Sequence, residues 1–176
     1  MDIGALHPIT VYGSNISYFT GKLENYFRVR GVPYTFRAMR FPRDAKWIKE
    51  KLGVMQMPVL ELGDGRWMTD TTRIIQWFDA QLPDNQLLPA DPLQAFVCLL
   101  IEDYADEWLW RPAMHYRWSY RNSRDYAAQA IFEDIVEPQK PYPRFAAIRM
   151  IKKRQLNGFV RGDGVNAKSK AHCDQT

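Results

Sequence analysis

Four short stretches of this 176-residue chain hold side chains whose type and spacing could do chemistry. Ser17 stands just before Phe19, Leu23, Tyr26 and Phe27, which recur at helical spacing. A hydroxyl there, with the first backbone N–H groups of the helix, can donate to an anion, and the helix dipole favours negative charge at that end. The plainer reading is that Ser17 or Thr20 only caps the helix. Thr69, Asp70 and Thr71 precede Ile74, Ile75 and Phe78, so a second helix starts there. Its first N–H groups can receive a carboxylate while Asp70 accepts from an ammonium group. Capping accounts for Asp70 and Thr71 equally well. Gln56-Met57-Pro58 opens an apolar run, where a proline is ordinary at a strand start. The fourth stretch holds Tyr104, Trp108, Arg111 and His115 at i, i+4, i+7 and i+11. These share one helical face if Pro112 only kinks the helix, although an aromatic core stripe explains any one of them as well.

Other chemistries are disfavoured. The two cysteines, Cys98 and Cys173, have no close spacing and form no Cys-x-x-Cys pair, which argues against a disulfide framework and fits a reducing compartment. His7, His115 and His172 lack paired spacing, so no metal is expected. The start of the chain shows no basic and apolar leader, and the longest apolar stretch, Ala95 to Ile101, is too short to span a bilayer. The protein reads as soluble and cytoplasmic, with no membrane partner. The net charge is +4, but from Arg144 onward eight Lys/Arg face two Asp, a local balance of +6. A basic tail can mark nucleic-acid binding. No base-stacking motif accompanies it, and a solvated helix face is the reading adopted.

The elements that must position these residues follow from the pattern. Ile9 to Tyr12 reads as a strand ending at Gly13, and the helix through Phe27 stops at Gly31. Tyr34-Thr35-Phe36 is a second strand. Pro42 opens a helix with Ala45, Ile48 and Leu52 on one side, closed by Gly53. Met57 to Leu62, Gly63-Asp64-Gly65 and Arg66 to Met68 form a hairpin signal. The helix after Asp70 ends before Pro83. The first two strands are parallel, because a helix crosses over between them. Residues 83–91 have linker composition, and Asp91-Pro92 caps a long helical run through Phe96, Leu100, Tyr104 and Trp108. Two further helical patterns centre on Ile131 and Ile148, separated by the proline-rich stretch 137–143.

This order, with a proline opening the third strand, resembles the glutathione transferase N-terminal lobe over roughly residues 9–82. Three local patterns carry the resemblance. Ser17-Tyr18-Phe19-Thr20-Gly21-Lys22-Leu23, followed by Gly31-Val32-Pro33-Tyr34, is similar to Ser-Pro-Phe/Tyr-Ser-Arg-Lys-Val and Gly-Ile-Pro-Tyr of bacterial members. Gln56-Met57-Pro58-Val59-Leu60 resembles Lys-Val-Pro-Val-Leu with its cis-proline. Thr69-Asp70-Thr71-Thr72-Arg73-Ile74-Ile75 resembles Glu/Asp-Ser-x-x-Ile. Tyr18 replaces the family's proline, Gly21 its arginine, and Thr71 its serine while keeping a hydroxyl. No cysteine stands near position 17, so chemistry through a protein thiol is not expected.

The resemblance implies an α/β thioredoxin-like domain over residues 1–82, with a mixed four-stranded sheet and three helices, a linker at 83–91, and an all-α second domain over 92–176. It implies a transferase that binds glutathione as co-substrate and passes its thiolate to a small hydrophobic electrophile, working as a homodimer. A non-catalytic interaction module of the same fold is the alternative. Ser17 would donate to the thiolate, with Tyr12 and Tyr18 as competitors. Gln56, Met57, Pro58, Asp70 and Thr71 would bind glutathione, Pro58 through a cis bond that leaves the Met57 backbone to pair with the ligand like an added strand. Tyr104, Trp108, Arg111 and His115 would line the electrophile pocket. The family's helical domain has more helices than fit between Pro92 and Thr176, and residues 166–176 read as the opening of a helix. An incomplete second domain, prone to association through uncovered apolar residues, is therefore expected.

Overall fold

The computed structural model describes residues 3–82, 84, 86–136 and 143–175. Parts of two expectations, the linker residues Pro83 and Asn85 and the proline-rich segment 137–142, lie outside the described residues. The chain divides into two compact units, Met1–Leu87 with Glu133–Lys140, and Leu88–Phe132 with Pro141–Thr176. The division falls within the stretch read as linker. Residues 133–136, however, return to the first unit, which nothing in the sequence signals.

In the first unit a short 3-10 turn, Ile3–Leu6, leads into β1 (Thr10–Gly13), α1 (Tyr18–Val29), β2 (Thr35–Ala38), α2 (Arg43–Leu52), β3 (Val59–Glu61), β4 (Trp67–Thr69) and α3 (Thr71–Gln81). The sheet order is β2-β1-β3-β4. β1 and β2 are parallel, Val11 facing Phe36, while β3 runs antiparallel to both β1 and β4. Strand alternation sends Val11 and Leu60 to one face, where they join Leu23, Phe27, Ile74 and Phe78 from α1 and α3. Val59 faces the other way, packed with Met39 and Ile48 under α2, and half-buried Tyr12, Trp47 and Trp67 complete that layer.

Two glycines are fixed by geometry. A Cβ on Gly13 would lie 2.5 Å from Thr20 Oγ1, so only glycine lets α1 pass this close to the end of β1. Gly53 ends α2 in the left-handed region, φ 73°, and its N–H donates to the Lys49 carbonyl.

In the second unit α4 (Pro92–Asp103) starts at Asp91, whose side chain accepts from Gln94 N, with Pro92 in the first turn. It is followed by a π-helical stretch, Tyr104–Trp108, then α5 (Trp110–Trp118), α6 (Arg121–Ile135), α7 (Arg144–Gln155), a second π stretch Leu156–Arg161, and the four-residue α8 (Lys170–Cys173). The expected kink is displaced upstream of Pro112. Leu109 N donates to Tyr104 O, a five-residue reach, and Pro112 then sits in the first turn of α5, where a missing N–H is tolerated. Met114, His115 and Trp118 of α5 are buried, as are Ala127 and Ala128 of α6 and Ala147 and Ile151 of α7. No residue of α4 is buried, and Phe96 is 61% exposed.

Candidate functional site

Register brings the first three motifs to one end of the sheet. Tyr12 pairs with Val59, and Val59 with Thr69, so the carboxyl ends of β1 and β4 flank the start of β3. The helices that follow β1, β2 and β4 all begin at that end, as in α/β sheets that bind ligands beyond the carboxyl ends of their strands. Ser17, Met57-Pro58 and Asp70-Thr71 are thus gathered by backbone topology.

Ser17 is the N-cap of α1, its hydroxyl oxygen accepting from Thr20 N at 3.3 Å. An accepting hydroxyl keeps its own proton to donate, so the cap does not use up the group. The Met57–Pro58 bond is cis. Pro58 is buried, Met57 half-buried and Gln56 exposed. The Pro58 carbonyl accepts from Thr69 Oγ1 at 3.1 Å, tying the start of β3 to the end of β4. Asp70, exposed, caps α3 by accepting from Arg73 N at 3.3 Å. Its φ of 74° is the one positive value at a non-glycine residue among the described residues. Asp tolerates the left-handed region better than most residues, and such strain gathers at binding sites. Thr71 is buried. α1 and α3 also meet through Lys22 Nζ and Thr72 Oγ1, 3.5 Å apart.

Both competing tyrosines have partners of their own. Tyr12 donates its hydroxyl to Glu61 Oε2 at 2.7 Å, and burial together with that carboxylate pushes its pKa up to about 12. Its proton is therefore committed to Glu61. Tyr12 lines an open groove of about 640 Å³ on the α2 face, with Trp47, Trp67, Arg37 and Lys51. Tyr18 stacks on Phe19 with ring centroids 4.6 Å apart. At the start of α2, burial alone would push the Asp44 carboxyl up. Hydrogen bonds from Arg43, the Arg40 amide and Trp47 outweigh it and hold the group below the ordinary carboxylate value.

The fourth motif is brought together only in part. Trp108 is 57% exposed with the Arg111 guanidinium 4.8 Å from its ring centroid, and Tyr104 is also exposed. His115 is 1% exposed, bonded through Nε2 to Asp174 Oδ1 at 2.9 Å and through Nδ1 to Ser119 Oγ at 2.7 Å. The single face expected for Tyr104, Trp108, Arg111 and His115 is thus corrected. The π stretch takes an extra residue per turn, which rotates the later side chains by roughly 100°. Asp174 also accepts from Tyr120 and Lys170, and these bonds hold its carboxyl well below the ordinary range.

Sequence reasoning missed Asp134. This residue near the end of α6 bonds to the loop between β1 and α1, at Ser14 and Asn15. Its neighbours in sequence, Glu133 and Ile135, look like any amphipathic helix end, so no local signal could have found it. Among the described residues no group of three or more His, Cys, Asp or Glu is arranged to hold a metal, and no helix is long and apolar enough to cross a membrane.

Residues 11–86 match the family model described as glutathione S-transferase, N-terminal domain. No protein of curated function matches the sequence. Among solved structures the chain is similar to a glutathione S-transferase of Methylobacterium radiotolerans in complex with glutathione sulfonate, at 17% identity and TM-score 0.55, over 85% of this chain and 64% of that one. It is similar to rice GST1 in complex with glutathione, at 18% identity and TM-score 0.54, over 71% and 58%. It is also similar to the beta-etherase LigF of a Sphingobium, at 19% identity and TM-score 0.57, over 88% and 65%. The chain therefore spans between 58% and 65% of the length of these three proteins, and at such identities the likeness is one of fold. Residues 11–86 thus match the glutathione S-transferase N-terminal domain, and the mixed sheet followed by helices has the fold of the glutathione transferase structures.

Proposed function

We propose that the protein binds glutathione at the carboxyl end of its sheet and conjugates the thiolate to a small electrophile. The observation that carries this reading is the meeting of two helix starts, at Ser17 and Asp70, with the cis-proline entry to β3. The ligand's γ-glutamyl group offers a carboxylate to the first N–H groups of α3 and an ammonium to Asp70. The Met57 backbone pairs with its cysteinyl part in the manner of an added strand. Gln56 and Thr71 flank that path. Ser17 donates to the sulfur, and the positive end of α1 favours the thiolate over the thiol. Two structural neighbours are described with glutathione or its sulfonate bound. The same reading makes the protein cytoplasmic and homodimeric, with its two free cysteines kept reduced.

A second reading, a glutathione-binding module without transferase activity, draws on one observation. His115 is buried while Trp108 and Tyr104 face out, so the proposed electrophile residues do not converge. Retention on glutathione-agarose, followed by a chloronitrobenzene conjugation assay, separates the two. Retention with turnover supports the transferase. Retention without turnover favours the module, and loss of both rejects the glutathione reading.

A further inference from the structure

The turn that leads into α1 is held by a residue more than a hundred positions away. Ser17 N donates to Ser14 O at 3.0 Å, closing a four-residue turn whose last member is the proposed thiolate donor. Asp134 seizes the front of that turn. Its Oδ2 accepts from the Asn15 amide at 2.8 Å and from the Ser14 hydroxyl, and its Oδ1 accepts from Asn15 Nδ2 at 2.8 Å. The same segment grips the neighbouring loop. Phe41 N donates to Ile135 O at 2.8 Å, Arg40 Nη1 donates to Glu133 O at 2.7 Å, and Phe41 pairs with Val136 in a parallel bridge. Residues 133–136 therefore strap the loops after β1 and β2, at the end of the sheet where the candidate site lies.

A residue that only finished α6 would need no such partners. Three donors on one carboxylate are charge-assisted bonds, stronger than neutral ones, and they fix the backbone of residues 14 and 15. Ser17 stands two residues farther on, so its hydroxyl inherits that placement. The charge has a second consequence. A thiolate beside Ser17 would form on the turn whose Ser14 and Asn15 the Asp134 carboxylate grips, and a like charge disfavours ionisation. Among the described residues, other charged groups at this end include Lys22 on α1, Arg37 near the end of β2, Arg40, the Arg43–Asp44 pair at the start of α2, and Asp70 and Arg73 at the start of α3.

We propose that Asp134 is a positioning residue of the glutathione site, its carboxylate fixing the Ser14–Ser17 turn for binding and its charge restraining ionisation of the bound thiol. This rests on the glutathione reading above. It assigns to the strap the balance between a well-placed donor and a thiol that is not ionised without limit.

The test uses the full chain as wild type, Asp134→Asn and Asp134→Ala. Ultraviolet absorbance of the thiolate is titrated with glutathione bound, affinity is measured by calorimetry, and far-UV circular dichroism checks the fold. Asparagine keeps the volume and one carbonyl acceptor, so Asp134→Asn should bind within about threefold of wild type while the bound-thiol titration midpoint falls by about half a unit. Alanine removes all three bonds, and Asp134→Ala should bind about tenfold more weakly with an unchanged dichroism spectrum. A purely structural clasp would leave the thiol titration where it was. Wild-type binding with an unmoved or raised midpoint in Asp134→Asn overturns the inference alone, even if Asp134→Ala fails to fold. A folded Asp134→Ala of wild-type affinity overturns the positioning role. No binding by wild type overturns the glutathione reading and this inference with it.

Discussion

The sheet end and the aromatic run 104–118 are both rich in candidate residues, yet only the first gathers them. At the sheet end each residue flanks the end of a strand or the start of a helix, so its place is set by chain reversal and strand register. Small errors in helix phase do not move it. Along the aromatic run, convergence requires helical phase to hold over eleven residues, and one π stretch is enough to turn His115 inward while Trp108 stays out. The packing around them differs too. The first unit buries Phe27 and Phe78 in edge-to-face contact at 4.9 Å between two helices and a sheet, whereas no residue of α4 is buried. Sites built on element ends are read from sequence more safely than sites built on long helix faces.

The contrast is broken most forcefully in the core. Phe27→Ala should destabilise the first unit by about 3–5 kcal/mol, because a fully buried ring leaves a cavity. Phe96→Ala on exposed α4 should change stability by no more than about 0.5 kcal/mol. Chemical denaturation of both variants measures the gap. Equal effects would mean that α4 is covered in solution.

Next in size, Asp70→Ala should weaken glutathione binding by about 1.5–3 kcal/mol through a lost charge-assisted contact. It should cost about 1 kcal/mol of stability through the lost cap. Calorimetry and thermal melting on the same preparation separate the two, and unchanged affinity would remove Asp70 from the site. Within the aromatic run, His115→Ala should cost about 1–3 kcal/mol, since it strips partners from Ser119 and Asp174. Trp108→Ala should cost far less. Similar losses from both would restore the single face.

Ser17→Ala should cost about 1 kcal/mol as a cap and raise the titration midpoint of bound glutathione. If only stability moves, Ser17 is a cap and nothing more. The smallest effect is electrostatic. The Asp44 carboxyl is held low in the folded state, so its contribution is fully present above the unfolded value of 3.8 and is lost as pH falls through the folded value. The acid limb of a melting-temperature profile should therefore be steeper for wild type than for Asp44→Asn, with wild type the more stable at neutral pH and the two converging in acid.

Much of the first unit is legible in the sequence for a physical reason. Gly53, Pro58, Asp70 and the Asp64-Gly65 turn each act within a few residues of themselves, and their consequences appear as the strand and helix ends observed. The strands of the sheet differ from the expected spans by a residue or two, because apolar runs do not mark where a ladder stops. Tyr12 stayed open in the sequence because its partner, Glu61, is met only through strand pairing. Asp134 was invisible for the same reason at greater range, its partners lying 119 and 120 positions away. The π stretch was missed because proline rules locate a disturbance only near Pro112. They do not say on which side the helix gives way.

On the proposed reading, glutathione binds where the carboxyl end of the sheet meets the starts of α1 and α3. Backbone amide chemical shifts of the isotopically labelled protein, followed by nuclear magnetic resonance as glutathione is added, test it most directly. Saturable shifts are expected at Asn15 through Phe19, at Met57 and Val59, and at Asp70 through Thr72, with α4 and α5 unmoved until an electrophile is present. Shifts confined to the aromatic run, or none at saturating glutathione, would contradict it.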